Sequence, residues 1–117
     1  MQAMLLSDQP PLLQGLSDTL RSLSARITLR RADAAHDTGA ADLVFVDLAW
    51  CGLARLPQLA EDLRRQRQDA ALVLLLDRPE DVSQIESVQV DADLLVAKQA
   101  SPQAVCRSMR RFLPAAA

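Results

Sequence analysis

The chain has 117 residues, half of them apolar, and carries 13 basic against 15 acidic side chains. This apolar share supports one small folded domain and excludes wholesale disorder, and the net charge of −2 argues against a nucleic-acid module that works through bulk positive charge. The sequence predicts neither a membrane span, which needs about 20 apolar residues, nor a secretory signal. Cys51 and Cys106 lack metal-binding spacing and are expected to be reduced thiols in a cytoplasmic protein.

Short apolar runs alternate with amphipathic stretches along the chain. Four of these runs are unbroken, which is typical of central strands in a parallel sheet that is buried on both faces. They are residues 3–6, 43–46, 72–76 and 94–97. Residues 26–30 instead alternate polar and apolar side chains, which predicts a strand at an edge of the sheet.

Helical periodicity fills most of the intervals between the runs. The predicted helices have apolar stripes that begin at Leu12, Leu56, Val82 and Val105. Ser101 and Pro102 predict the N-cap and the first helical position of the last one. Residues 33–41 contain Gly39 and several small or polar side chains, so they predict a loop or at most one turn of helix.

Alternating strands and helices predict right-handed crossovers and a parallel sheet with helices on both faces. Five strands favour a flavodoxin-like three-layer α/β sandwich with strand order 2-1-3-4-5. The second helix is expected to be shortened or missing. The predicted domain spans residues 1–113, and residues 114–117 are expected to form a tail or the start of a linker.

Polar side chains follow the ends of four predicted strands: Asp8, Asp47, Asp77 and Lys98. In open α/β sheets, ligands bind beyond the carboxyl ends of the strands. The first and third strands are neighbours in the predicted order, so Asp8 and Asp47 are expected side by side, with Lys98 reaching in from the fifth strand. A helix N-cap is the simpler interpretation of a single aspartate, but this set at the expected strand ends favours a functional site.

Two adjacent carboxylates about 4 Å apart repel by about 4 kcal/mol at an effective dielectric near 20. A hard cation such as Mg²⁺ removes that penalty and leaves coordination positions for water and a phosphoryl group. A lysine adds a point charge for the phosphoryl oxygens. The set therefore predicts phosphoryl transfer onto Asp47, with Asp8 and the metal as activators and Lys98 as a clamp.

Three segments that contain these residues resemble a known family. Residues 4–8, 41–48 and 92–98 are similar to the first, third and fifth strands of the receiver domain of bacterial two-component response regulators. The resemblance covers nearly the whole chain. Residues 8–10, 13–16 and 98–102 are similar to the NarL/FixJ type of receiver, in which a C-terminal helix-turn-helix usually follows.

The resemblance implies a cytoplasmic phosphorelay signalling domain that is not an enzyme. Asp47 would be the phospho-accepting position, Lys98 the clamp, and Asp8, Asp47 and the backbone carbonyl of Ala49 the ligands of a weakly held Mg²⁺. The implied partners are a histidine kinase or another signalling protein, and a second copy bound through the terminal helices. Neither a membrane nor nucleic acid is expected as a partner of this chain alone.

The sequence departs from the family pattern at the pocket. Ser7 stands where a second metal-supporting carboxylate is usual, and Asp77 stands where a Thr or Ser normally bonds the phosphoryl oxygen. An ionised Asp77 cannot donate a hydrogen bond and would repel a phosphoryl group. Further departures occur next to these positions or at the usual switch position: Arg78, Leu95, Gln99 and the pair Trp50–Cys51.

Two arrangements would accommodate these departures. In a rewired pocket, Asp77 replaces the carboxylate lost at Ser7 and the pocket still binds a cation. In a locked pocket, Asp77 pairs with Lys98 or Arg78, and neither metal nor phosphate enters. We favour the locked pocket, because the rewired one does not replace the lost hydroxyl.

The function expected from a locked pocket is that of a degenerate receiver acting through protein–protein interaction. The first alternative is a genuine receiver in which a histidine kinase phosphorylates Asp47. A small aspartyl-nucleophile phosphohydrolase is disfavoured because no second acid follows Asp47 closely, and a flavin-binding protein because residues 8–11 are not a phosphate loop.

Three other features have structural explanations. His36, the single histidine, is expected to be an exposed spectator. The arginines at positions 64, 65 and 67 stand among acidic residues and predict a solvated helix face. Trp50 is expected to pack in the core, with a partner anchor as the alternative.

Overall fold

A computed structural model of the chain describes residues 1–23, 26–34, 38–39 and 41–110. Strands and helices alternate along them. The elements are β1 (Gln2–Leu6), α1 (Pro10–Leu23), β2 (Thr28–Ala32), β3 (Leu43–Asp47), α2 (Leu48–Cys51), α3 (Leu56–Gln66), β4 (Ala71–Leu76), α4 (Asp81–Ser87), β5 (Leu94–Ala97) and α5 (Pro102–Met109).

The strands form one sheet in the order β2-β1-β3-β4-β5, and all neighbours are parallel. This confirms the flavodoxin-like order predicted from the sequence. The register pairs Leu6 with Val46, Asp47 with Leu75, and Leu76 with Ala97. The residues that follow β1, β4 and β5 therefore meet Asp47 at one edge of the sheet, called here the carboxyl edge.

Three of the four apolar runs form the middle of the sheet, with a core on each face. The fourth run, residues 94–97, forms the edge strand β5 instead, and only Val96 of that strand is buried, so the predicted burial on both faces is wrong there. All five residues of β3 are buried, as are five of the six residues of β4. On one face, Phe45 packs with α1 and α5 through Leu20 and Met109. On the other face, Val46 packs with α3 and α4 through a cluster that includes Leu63. Burial on both faces explains why these strands show no polar–apolar alternation.

Two predicted elements differ in detail from the structure. The edge strand β2 begins at Thr28, two residues later than its alternating pattern suggests, because its parallel register with β1 pairs Gln2 with Thr28. Ile27 is buried just before the strand begins. In α4, Ile85 is buried as its stripe predicts, but Val82 is 36% exposed.

Some sequence predictions fall on residues outside the described ranges. The second helix was expected to be shortened or missing, and the described residues between β2 and β3 contain no α-helix. His36, expected to be exposed, lies outside the described part of the chain. The predicted tail at 114–117 and Phe112 of the last apolar stripe also lie outside it. None of the described helices combines the length and apolar character that crossing a bilayer requires.

Candidate functional site

The carboxyl edge of the sheet brings together side chains from four parts of the chain. Ser7 follows β1, Asp47 ends β3, Asp77 follows β4 and Lys98 follows β5. The convergence of Asp47, Asp77 and Lys98 that the sequence predicts is thus present, as their mutual contacts show. Asp8 also lies at this edge, where it is exposed.

Asp47 is completely buried, and both oxygens of its carboxylate have partners within the protein. Ser7 Oγ donates a hydrogen bond to Oδ2 at 2.7 Å. On the other side, Oδ1 accepts from the backbone N–H of Ala49 at 3.1 Å and lies 2.5 Å from Lys98 Nζ. The bond from Ala49 makes Asp47 the N-cap of α2. A buried charge is costly unless it is paired and hydrogen-bonded, and this carboxylate is both.

Lys98 links two carboxylates and is the only lysine of the chain. Its Nζ lies 2.5 Å from Asp47 Oδ1 and 3.0 Å from Asp77 Oδ1, and its side chain is only 13% exposed. The ammonium rotates freely and carries three donors, so these distances are sufficient for two ion pairs. Burial lowers the pKa of Lys98, but the hydrogen bonds and charges of the two carboxylates outweigh it and raise the pKa above 10.5.

Ser7 is fixed on three sides. Its hydroxyl donates to Asp47 and accepts from the backbone N–H of Gln9 at 3.2 Å. Its carbonyl accepts from Arg31 Nε at 2.9 Å, which ties the end of β1 to β2. The sequence showed only the missing acid at this position. Ser7 is 2% exposed. Its position directly after an apolar run could have indicated from the sequence that its hydroxyl is buried and needs a hydrogen-bond partner.

The loop after β4 is tied down around Asp77. Asp81 Oδ2 accepts from the backbone N–H groups of Asp77 and Arg78 at 3.1 and 3.0 Å. Gln99 Nε2 donates to the carbonyl of Asp77 at 3.2 Å. Lys98, and not Arg78, is the cation that contacts the carboxylate of Asp77. The loop is thus held by the carboxylate of Asp81 and by contacts to the segment after β5.

The fit of the pocket to Mg²⁺ depends on which oxygens point into it without a partner. Both oxygens of Asp47 are engaged by protein donors, and Ser7 replaces the second acid. The described residues contain no group of three His, Cys, Asp or Glu side chains placed to hold a metal ion. Asp8, Asp47 and the carbonyl of Ala49 therefore do not fit a tightly held Mg²⁺ in this arrangement.

Two arginines near the C-terminal end of α3 bind residues at the opposite edge of the sheet, where the strands begin, called here the amino edge. Arg64 donates to the carbonyl of Ala70 at 2.8 Å and pairs with Asp93 at 3.2 Å, and Arg67 pairs with Asp42 at 2.7 Å. The expected solvated helix face holds only for Arg65, which makes an exposed pair with an acid of its own helix. The other two are structural clamps.

The two residues that follow the pocket form part of a short helix that the sequence did not predict. Trp50 and Cys51 lie in α2, where Cys51 is buried and Trp50 packs partly against the core. The helix ends at Gly52, whose φ of 81° lies in a region that other residues rarely adopt. Burial raises the pKa of the Cys51 thiol, and the charge of Arg55 lowers it only in part.

No protein-family model and no curated protein matches the chain, but solved structures do. The CheY-like protein TadZ from Pseudomonas aeruginosa matches with 20% identity over 100% of this chain and 98% of that one, at a TM-score of 0.74. A LuxR family DNA-binding response regulator from Silicibacter pomeroyi matches with 18% identity, 98% coverage of both chains and a TM-score of 0.72.

A pilus assembly protein from Burkholderia thailandensis is similar at 16% identity, covering 96% of this chain and 97% of that one, with a TM-score of 0.76. At these identities the likeness establishes the fold. The chain has the CheY-like fold of response regulator receiver domains, as the resemblance of its strand ends predicted.

Proposed function

We propose that the chain is a receiver-like signalling domain whose pocket is closed by its own side chains, and that it acts through protein–protein contacts and not as an enzyme. Two features support this proposal. The fold is that of receiver domains, and the strand-end aspartate and lysine characteristic of such a pocket are in contact.

The observation that carries the proposal is the saturation of Asp47. A phosphoryl group can be accepted only by an oxygen that reaches the phosphorus atom in line. Here Oδ2 is bonded to Ser7 and Oδ1 to Lys98 and Ala49, and the residue has no exposed surface. Asp77 adds a negative charge beside Lys98. This charge compensates the positive charge of the ammonium and repels an incoming anion.

A genuine phospho-accepting receiver is the second candidate, and the contact between Asp47 and Lys98 favours it. In that case an Asp47 oxygen forms the new bond to phosphorus while the phosphorus–nitrogen bond of a phosphohistidine breaks. Lys98 would leave Asp77 and bind the phosphoryl oxygens, since its charge is the one available in the pocket. This route requires the pocket to open first.

Intact mass after incubation with Mg²⁺ and a small acyl phosphate separates the two candidates. We expect no phosphoryl adduct on the natural chain. An adduct that disappears in Asp47→Ala would reject the closed pocket and establish the second candidate. A double variant, Ser7→Asp with Asp77→Thr, restores the usual acid and hydroxyl, and we expect it to gain an adduct that a further Asp47→Ala removes.

The partners proposed for this domain are a histidine kinase or another signalling protein in the cytoplasm, and a second copy of the chain. Solved proteins with this fold include pilus assembly proteins as well as DNA-binding regulators, so the fold serves more than one kind of partner. Purification of the tagged chain from its own cytoplasm, with Asp47→Ala in parallel, tests the proposal. A closed pocket predicts the same partners for both forms.

A further inference from the structure

A groove of about 840 Å³ runs along α3, separate from the Asp47 pocket. Its apolar lining includes Trp50, Ala54 and Leu59, and Asp33 and Ala34 line it from the segment after β2. The rest of the lining is one stripe, formed by position 55 at the N-cap of α3 and positions 58, 59, 62, 65 and 66 within it, which are spaced by three or four residues and so lie on one face. Trp50 and Leu59 are each only partly buried by the chain's own core.

The charges along this stripe differ at its two ends. Arg55, just before α3, is exposed and forms no ion pair with any described residue. Asp62 lies seven residues later, about 10 Å along the helix, and its side chain is 40% exposed. Its Oδ1 accepts a hydrogen bond from Gln58 Nε2 at 2.9 Å and lies 3.7 Å from Arg65, whose shorter ion pair is with Glu61 at 2.7 Å. Gln58 and Leu59 occupy the centre between these charges.

We propose that this groove is an interface between two copies of the chain, with the two α3 helices packed antiparallel about a two-fold axis between Gln58 and Leu59. That axis places Arg55 of each copy opposite Asp62 of the other, so one patch supplies both halves of two ion pairs. A two-fold interface requires such self-complementarity. A partner of one charge sign would match only one end of the stripe.

The apolar centre supplies the contact area of this interface. In this arrangement Leu59 and Trp50 of both copies lie near the two-fold axis, and a tryptophan at the centre of an interface is a frequent hot spot of binding energy. The inference does not rest on the Asp47 pocket, since no residue of that pocket lines the groove. A failure here leaves the closed pocket of the proposed function intact, and an open pocket would leave this interface intact.

Sedimentation over a dilution series, with reversed charges, tests the interface. We expect the natural chain to dimerise, and Arg55→Glu and Asp62→Arg each to weaken association at least about tenfold, because each creates two like-charge contacts. Mixed in equal amounts, these two variants should recover a dimer, since every repulsive pair becomes attractive. Glu86→Arg, an equal change of charge at an exposed position of α4 outside the groove, should leave association unchanged.

Trp50 gives an independent signal. It is the only tryptophan, and the chain has no tyrosine, so its emission should shift to shorter wavelength as the dimer forms. A chain that stays monomeric at every concentration would overturn the proposal. So would a dimer that neither reversed charge weakens, which would place the interface elsewhere, for example on α1 and α5. A mixture of the two variants that fails to associate would likewise overturn it.

Discussion

Both edges of the sheet contain ion pairs between an aspartate and a basic side chain, but the pairs differ in burial and in the groups that they bind. At the amino edge, Asp42 accepts the backbone N–H of Gln2 at 2.9 Å and pairs with Arg67, while Asp93 accepts the N–H of Leu72 at 2.6 Å and pairs with Arg64. These carboxylates are about one-third exposed. They accept hydrogen bonds from backbone N–H groups near the starts of β1 and β4. Because they remain in partial contact with water, little free energy is needed to place a charge there.

At the carboxyl edge, the central carboxylate is wholly buried and is bonded mainly to side chains. Asp47 takes side-chain partners from the segments after β1 and β5, and a single backbone partner, the N–H of Ala49 in α2. An apolar residue in such a place is often as stable or more stable. The comparison teaches that the amino edge is explained by folding alone, whereas the buried pair at the carboxyl edge is best explained by function.

The largest effect expected from this comparison is that of Lys98→Met. Removing the cation leaves Asp47 as a buried charge without an ionic partner, so the free energy of unfolding should fall by about 3–5 kcal/mol. Urea unfolding followed by Trp50 fluorescence measures it. Adding Asp47→Asn should recover part of the loss, because it removes the uncompensated charge.

The matched control for that change is Arg64→Met at the amino edge, where the pair is partly exposed. It should cost clearly less than Lys98→Met. Equal losses at the two edges, or a loss below about 1 kcal/mol for Lys98→Met, would contradict the contrast between a buried and a partly solvated pair.

Ser7→Ala should have the second largest effect. It removes the hydrogen bond to Asp47 Oδ2 in a buried site, and hydrogen bonds to charged groups contribute about 1.5–3 kcal/mol. Thermal or urea unfolding checks the loss. The exposed N-cap variant Ser101→Ala, which loses the bond from Ala104 N–H, should cost about 1 kcal/mol. A Ser7→Ala loss no greater than this would show that Ser7 does not hold the carboxylate.

Alkaline pH should destabilise the chain through Lys98. Its pKa is raised above 10.5 in the folded state, so the pair's full contribution is present below pH 10.5 and is lost as pH rises through the folded pKa. The slope is limited to about 1.4 kcal/mol per pH unit. The chain has no other lysine and no tyrosine, which makes the transition unusually simple to assign.

Asp47→Asn should flatten that alkaline slope, as unfolding titrations at several pH values would show. Cys51 destabilises in the same direction, because its folded pKa is raised above 9.0, so the comparison is best made in a Cys51→Ala background. An unchanged slope in Asp47→Asn would mean that the lysine does not derive its raised pKa from this carboxylate.

The smallest effect is expected at Asp42. The N–H of Gln2, with further help from Arg67, lowers the pKa of Asp42 below 3.8. Its contribution is therefore present above pH 3.8 and is lost as pH falls through the folded pKa. Asp42→Asn should change stability near neutral pH by about 1 kcal/mol or less and weaken the acid dependence. Asp69→Asn, at a 77% exposed carboxylate, should change neither.

The sequence predicted the fold and the convergence of the strand ends because both follow from local patterns. Three of the four unbroken apolar runs form central strands, and parallel strands bring their carboxyl ends to one edge. Asp47, Asp77 and Lys98 could be placed together without knowing any side-chain contact. The edge position of β2 followed in the same way from its alternating residues.

The partners of individual side chains could not be predicted, because they depend on packing between distant segments. Ser7 was visible as a missing acid, but its bond to Asp47 depends on the register of β1 against β3. Arg64 and Arg67 looked like surface charges because their partners, Asp93 and Asp42, are distant in the sequence and directly precede β5 and β3. The four-residue helix α2 was missed because one turn has too few residues to show a period.

The most direct test of the closed pocket is the nuclear magnetic resonance of Lys98 in protein labelled with nitrogen-15 lysine. The chain has one lysine, so a single Nζ signal reports on the bridge between Asp47 and Asp77. We predict that this signal stays unchanged when excess Mg²⁺ is added, and that Asp47→Asn alters it strongly. A saturable shift of the signal with Mg²⁺ in the natural chain would show that a cation enters and displaces the bridge, and would contradict the account.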